Sequence, residues 1–231
     1  MAVTTIFAST GATGRGWIAA SGGDWQDVVD ASTGTTNGSS SSSTIVVRAG
    51  LLEGRGGETF FVSRAFVYFD VSSITTTITA ATVKVYSNGV NGGTIGMYQS
   101  TAFGNNGSSL TGTDFNNVTS TPTSATDYNE LTWGTGQLRS FPLNATAITA
   151  LNSNNYGNYS FRNTKDVDEE QPEEEGYVGI NFFTSGNNRI QIEVTHADAG
   201  YSNIINEVSP AKIGSVNEVT TANISQINSV S

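Results

Sequence analysis

Residues 60–69 read Phe-Phe-Val-Ser-Arg-Ala-Phe-Val-Tyr-Phe, and no other segment limits the fold as much. Aromatic and β-branched side chains at almost every position favour an extended strand over a helix. They also leave no polar face for water, so the run predicts a central strand buried on both sides.

The neighbouring segments fit around such a strand. Residues 80–86 alternate, with Ala81, Val83 and Val85 on one face and Thr82, Lys84 and Tyr86 on the other, the period of a half-buried strand. Further strands are expected at 3–7, 17–18, 25–29, 44–49, 94–99, 159–161, 177–183 and 189–195, with turns at 53–57 and Asn88-Gly89. Residues 32–43 form a polar loop and 104–127 a long Asn/Thr/Ser/Gly stretch, of a length that usually carries function or meets a partner. One short helix is predicted over 143–152, with Asn144 as N-cap and Leu143, Ala147, Ile148 and Leu151 near helical spacing.

Short strands at turn-punctuated intervals with a single helix predict an all-β, antiparallel, jelly-roll-like β-sandwich. The 26 glycines and the 13% share of charged residues agree, since long surface helices would need more charge. The expected division is a sandwich over residues 1–200 and a C-terminal tail over 201–231.

That tail repeats one phrase at 11-residue intervals: Ile205-Asn206-Glu207-Val208, Val216-Asn217-Glu218-Val219 and Ile227-Asn228-Ser229-Val230, with Ile213 and Ile224 recurring three places before the second and third. On a helical wheel Ile213, Val216, Val219, Ile224, Ile227 and Val230 fall within about 140°, and an 11-residue period suits a helix. Its Val, Ile, Thr, Ser, Asn and Gly content opposes one, each costing up to ~1 kcal/mol relative to Ala. The expectation is a tail ordered by association, either extended into a partner's pockets or wound with identical tails, through Ile205, Val208, Ile213, Val216, Val219, Ile224, Ile227 and Val230.

Several function classes are disfavoured. A net charge of −10 offers no basic face for a phosphate backbone, so no nucleic-acid partner is expected. No apolar run approaches the ~20 residues that span a bilayer. Cysteine is absent, which removes disulfides, thiolate metal sites and cysteine nucleophiles. The single histidine, His196, stands beside Asp198 with no nucleophile elbow, so no enzyme is expected. Residues 1–17 lack the basic start and apolar stretch of a secretion signal, which predicts synthesis in the cytoplasm; an extracellular location is the alternative.

Two binding sites are candidates by residue type. The acidic stretch around Pro172 offers Asp166, Asp168 and Glu169 to a structural Ca²⁺, a cation that takes several oxygen ligands; no other cofactor is expected. Trp133, Tyr156 and Tyr159, with Trp17 and Trp25, could stack on pyranose rings if exposed.

Residues 63–74, Ser-Arg-Ala-Phe-Val-Tyr-Phe-Asp-Val-Ser-Ser-Ile, followed by 78–86, Ile-Thr-Ala-Ala-Thr-Val-Lys-Val-Tyr, resemble the signature of DNRLRE-type jelly-roll modules. The resemblance spans roughly residues 20–195 and implies a fold shared by carbohydrate-binding modules, cell-surface proteins and bacteriophage virion proteins. Residues 211–217 and 222–230 are similar to endings common in phage structural and tail proteins. Together these resemblances imply a virion structural protein (head decoration, head fibre or tail-associated) that forms homo-oligomers, with a trimer expected, and contacts other virion proteins. The alternative they imply is a glycan-binding module or adhesin.

Overall fold

The structure is a computed structural model, and it describes residues 1–8, 14–37, 44–90, 94–124, 128–129, 138–173, 176–183, 189–198, 215–216 and 219–220. It is an all-β antiparallel sandwich with three short helices among the described residues. One sheet runs β1 (Ala2–Phe7), β13 (Gln191–His196), β6 (Ile78–Val90), β10 (Leu138–Pro142), with β6 held on both edges. The other contains β12 (Gly176–Phe183), β4 (Thr44–Gly54), β5 (Gly57–Asp70), β11 (Tyr156–Asn163), β7 (Thr94–Ser100) and β8 (Val118–Pro122). β9 (Tyr128–Asn129) also pairs β7, and β3 (Thr35–Asn37) pairs β2 (Arg15–Gly22).

β6 belongs to both sheets. Its first part pairs with β13 and β10, and its last residues, Ser87 to Val90, pair with β12. The Asn88-Gly89 pair therefore lies within a strand rather than at the expected turn. Pairing with β12 continues the ladder through a dipeptide that in isolation favours a hairpin.

β5 is the central strand that its sequence predicts. β2 takes one of its edges over residues 60–67. A strand has only two edges, so β4, opposite residues 57–63, and β11, opposite 65–70, must share the other in succession. Arg64 stands where that change of partner occurs.

Each face of β5 enters its own core. Ala65, Val67 and Phe69, with Tyr159 and Phe161 of β11 and Ile95 and Met97 of β7, pack against Ala81, Val83, Val85, Phe141, Ile192 and Val194 of the opposing sheet. The opposite face presents Phe60, Val62, Phe66 and Tyr68 to a second core. That core is closed by α1 (Trp25–Val29) and by Phe103, Leu110 and Phe115 from residues 101–117.

α1 corrects the expected strand at 25–29. The Asp24 side chain accepts from the Asp27 amide at 3.1 Å, an N-cap that outweighs the β propensity of Trp25, Val28 and Val29. The second half of the sequence follows expectation more closely. α2 (Ala145–Asn154) starts at Asn144, whose Oδ1 accepts from the Ala147 amide at 2.9 Å, and it buries Ala147 and Leu151. The stretch after Phe103 is not an open loop, because a 3-10 turn (Gly112–Asn116) plugs Phe115 into the second core. The turn docks closely: Gly34 donates to the Gly112 carbonyl at 2.9 Å, and a Cβ on Gly112 would meet the Gly34 carbonyl oxygen at 2.3 Å.

Candidate binding cleft

β5 ends at Asp70, directly opposite Tyr156 at the start of β11. This register sets the Tyr68 and Tyr156 rings in a stack, with centroids 5.5 Å apart and planes at 21°. Tyr68 also meets Phe103 edge to face at 6.1 Å, which ties the pair to the second core. Both hydroxyls reach the same residue. Tyr68 donates to the Asn105 carbonyl at 3.3 Å, and Tyr156 donates to Asn105 Oδ1 at 2.8 Å.

Around these rings lies an open cleft of about 370 Å³, walled by Asp70 and Ser72 on one side, Asn105, Asn106 and Gly107 on another, and Asn154 and Asn155 at the end of α2. Local geometry fixes each wall. Asp70 Oδ1 accepts from the Ser72 amide at 2.9 Å, an Asx turn that leads the chain out of β5. Asn155 takes a left-handed conformation (φ 61°) as the C-cap of α2, and its carbonyl accepts from Val71 at 3.0 Å.

The electrostatics are simple. Hydrogen bonds from Ser72 hold the Asp70 carboxyl below the usual carboxylate range, so it is ionised at neutral pH. Burial, helped by the Asp70 charge and Tyr156, raises the Tyr68 hydroxyl, which stays a neutral donor. Among the described residues, no lysine or arginine lines the cleft. Hydroxyls, amides, one carboxylate and a half-buried ring can bind a hydroxyl-rich ligand.

The expected site residues divide sharply. Tyr156 lines the cleft. Tyr159, two residues on, points into the first core at 1% exposure, with its hydroxyl pushed far up by burial, so it has no face for a sugar. Trp25 is buried and gives its Nε1–H to the Glu169 carbonyl at 3.0 Å, while Trp17 packs against the first core. Trp133 lies outside the described residues.

Asp166, expected as a calcium ligand, is engaged by two arginines instead. It is fully buried at the end of α3 (Thr164–Val167), where Arg64 donates to both carboxylate oxygens through Nε and to Oδ1 through an NH2 group at 2.6 Å. Arg162 donates to Oδ2 through Nε at 2.8 Å and to Oδ1 at 3.0 Å. Burial alone would raise this carboxyl, but the hydrogen bonds and charges of Arg162 and Arg64 prevail and hold it below its ordinary value. Two guanidinium groups already fill the place a cation would take. Asp168 and Glu169 are exposed beyond it, and no acidic or imidazole cluster suited to a metal occurs among the described residues.

His196 is likewise engaged, its ring held between Thr4 Oγ1 at 3.0 Å and Thr76 Oγ1 at 2.9 Å. Asp198 pairs with the N-terminal amine instead of with His196.

Of the repeated tail phrase, the described residues include β14 (Ser215–Val216) and β15 (Val219–Thr220), paired antiparallel with Val216 opposite Val219. Ser215–Val216 and Val219–Thr220 are therefore extended rather than helical. Ile205, Val208, Ile213, Ile224, Ile227 and Val230 lie outside the described residues. No helix among the described residues is long and apolar enough to cross a membrane.

Sequence reasoning passed over Tyr68, Asp70 and Asn105. Tyr68 is hidden in an apolar run, and the role of Asn105 depends on a contact 51 residues away. The available signal is the pair of polar connections at the strand ends, Ser/Thr-rich after Asp70 and Asn-rich before Tyr156. No protein-family model matches the chain, and no curated protein matches it.

Proposed function

We propose that this chain is a non-enzymatic structural subunit of a bacteriophage virion, a capsid-decoration, head-fibre or tail-associated protein. It displays a jelly-roll-like sandwich and attaches, as a trimer, through residues 201–231. The observation that supports this reading is the way the sandwich closes. β1 pairs along all of β13 and β6 pairs along its other edge, so the strand that precedes the repeated Ile/Val phrase already has a partner on each side. A periodic apolar segment that follows a strand paired on both edges is suited to binding other chains.

The test compares the full chain with one ending at Tyr201 and with an Ile224→Asp/Ile227→Asp variant, which would bury two unpaired charges. Light scattering is expected to give a trimer for the full chain and a monomer for both variants, and both variants are expected to be lost from particles. Unchanged mass together with unchanged incorporation would refute the attachment role.

A second reading, a glycan-binding module, is favoured by the Tyr68–Tyr156 cleft. The two are compatible if the displayed sandwich is what grips a host surface.

A further inference from the structure

A second cleft, of about 630 Å³, lies beside the first. It runs under the β5–β6 connection along Ile74, Thr75, Thr76 and Thr77 to Thr149 and Ser153 of α2. Ser72 and Asn155 line both clefts, so the two adjoin at that pair. The first alone is near the lower limit for a small-ligand site, roughly 300 Å³, and the joined groove reaches the upper limit of roughly 1,000 Å³.

The groove is already fixed in shape. Asn152 clamps the far wall, with Oδ1 accepting from the Ile78 amide at 2.8 Å and Nδ2 donating to the Ile78 carbonyl at 2.9 Å. Asn105 clamps the near wall through both tyrosines. A ligand entering such a groove spends little free energy ordering it.

Its polar chemistry is consistent. Among the described residues the lining offers hydroxyls, amides and one carboxylate, Asp70, with Ile74 and Ile78 as apolar members of the far part and no lysine or arginine in either. Hydroxyls and amides both donate and accept, which matches a ligand that carries many hydroxyl groups. The Asp70 charge and the protein's net −10 oppose an anionic ligand.

From this adjacency we infer that the two clefts serve as one groove for an extended, uncharged oligosaccharide, with the Tyr68–Tyr156 stack as its anchoring subsite and the threonine end taking further units. The inference rests on the glycan-binding reading and adds chain length and charge to it.

The test is calorimetry of the full chain against neutral β-linked gluco- and manno-oligosaccharides of one to six units, with oligouronates as the anionic series. Affinity is expected to rise with length and to be at least roughly ten-fold weaker for the uronates. Tyr156→Ala is expected to weaken every length by roughly ten-fold or more, the loss of an aromatic anchor. Tyr156→Phe keeps the ring and is expected to bind within a few-fold, which separates loss of the anchor from loss of fold. Ser153→Trp, at an exposed position in the far cleft, is expected to weaken the hexasaccharides and spare the disaccharides.

Affinity independent of length, a preference for uronates, or no effect of Ser153→Trp would overturn the groove and leave glycan binding standing. No binding of any sugar would overturn both.

Discussion

Replacing Asp166 with Asn would leave two guanidinium groups facing one amide oxygen and one amide NH2 at the edge of the second core. Five of the carboxylate's hydrogen bonds come from Arg64 and Arg162. Removing one partner of a buried ion pair costs about 3–5 kcal/mol, because the remaining charge keeps its desolvation penalty. The two arginines differ in their means of relief. The Arg64 side chain is 2% exposed, and its remaining bonds go to the Phe115 and Val29 carbonyls; the Arg162 side chain is 10% exposed and retains the Asp166 carbonyl. Most of the cost therefore falls on Arg64.

For a domain of this size about 3–5 kcal/mol corresponds to a Tm fall of roughly 6–20 °C. The assay is thermal and urea unfolding of wild type and D166N, followed by near-ultraviolet circular dichroism between pH 3 and pH 7. The Asp166 carboxyl is depressed in the folded state, so its contribution is complete above the unfolded value of about 3.9 and fades as pH falls through the folded one. The gap between wild type and D166N is therefore expected to be constant near neutrality and to narrow only in acid. A D166N Tm within 2 °C of wild type, or a gap that does not change in acid, would refute this account of the network (the threshold being about 1 kcal/mol at this size).

Two further substitutions probe separate parts of the frame. Gly157→Ala would place a Cβ 2.7 Å from the Tyr159 ring, which the first core holds in place, so a loss of about 1–3 kcal/mol is expected in urea titrations; the loss should shrink when Tyr159 is also replaced by Leu. Asn144→Ala removes the cap of α2 and the Nδ2 bond to the Pro122 carbonyl at 2.7 Å, with an expected cost of about 1–3 kcal/mol, while Asn144→Asp should recover the capping share alone.

The parts of the fold that could be read from sequence are those where local preference and tertiary demand agree. Residues 60–69 announce a doubly buried strand because both faces are apolar, and residues 80–86 alternate because only one is. At 25–29 the residues favour a strand, yet a single capping bond from Asp24 decides for a helix. The polar stretch after Phe103 conceals that Leu110 and Phe115, few as they are, close a core. Asp166 is one of seven acids crowded around Pro172, and nothing in its own neighbourhood distinguishes it. Its partner Arg64 comes from β5, 102 residues away, and only the fold brings the two together. The cleft was legible by half: Tyr156 stands out by type and position, whereas Tyr68 reads as core and is core, with only its hydroxyl reaching the edge.

The placement of β13 between β1 and β6 has a mechanical consequence for the attachment proposed for the C-terminal residues. Six residues of β13 are laddered to β1 on one edge and to β6 on the other, so tension drawn through its C-terminal end loads both ladders along their length. Hydrogen bonds sheared together resist far better than bonds peeled one at a time, and β6 carries the load onward into the second sheet. The sandwich would thus bear a pull as one body.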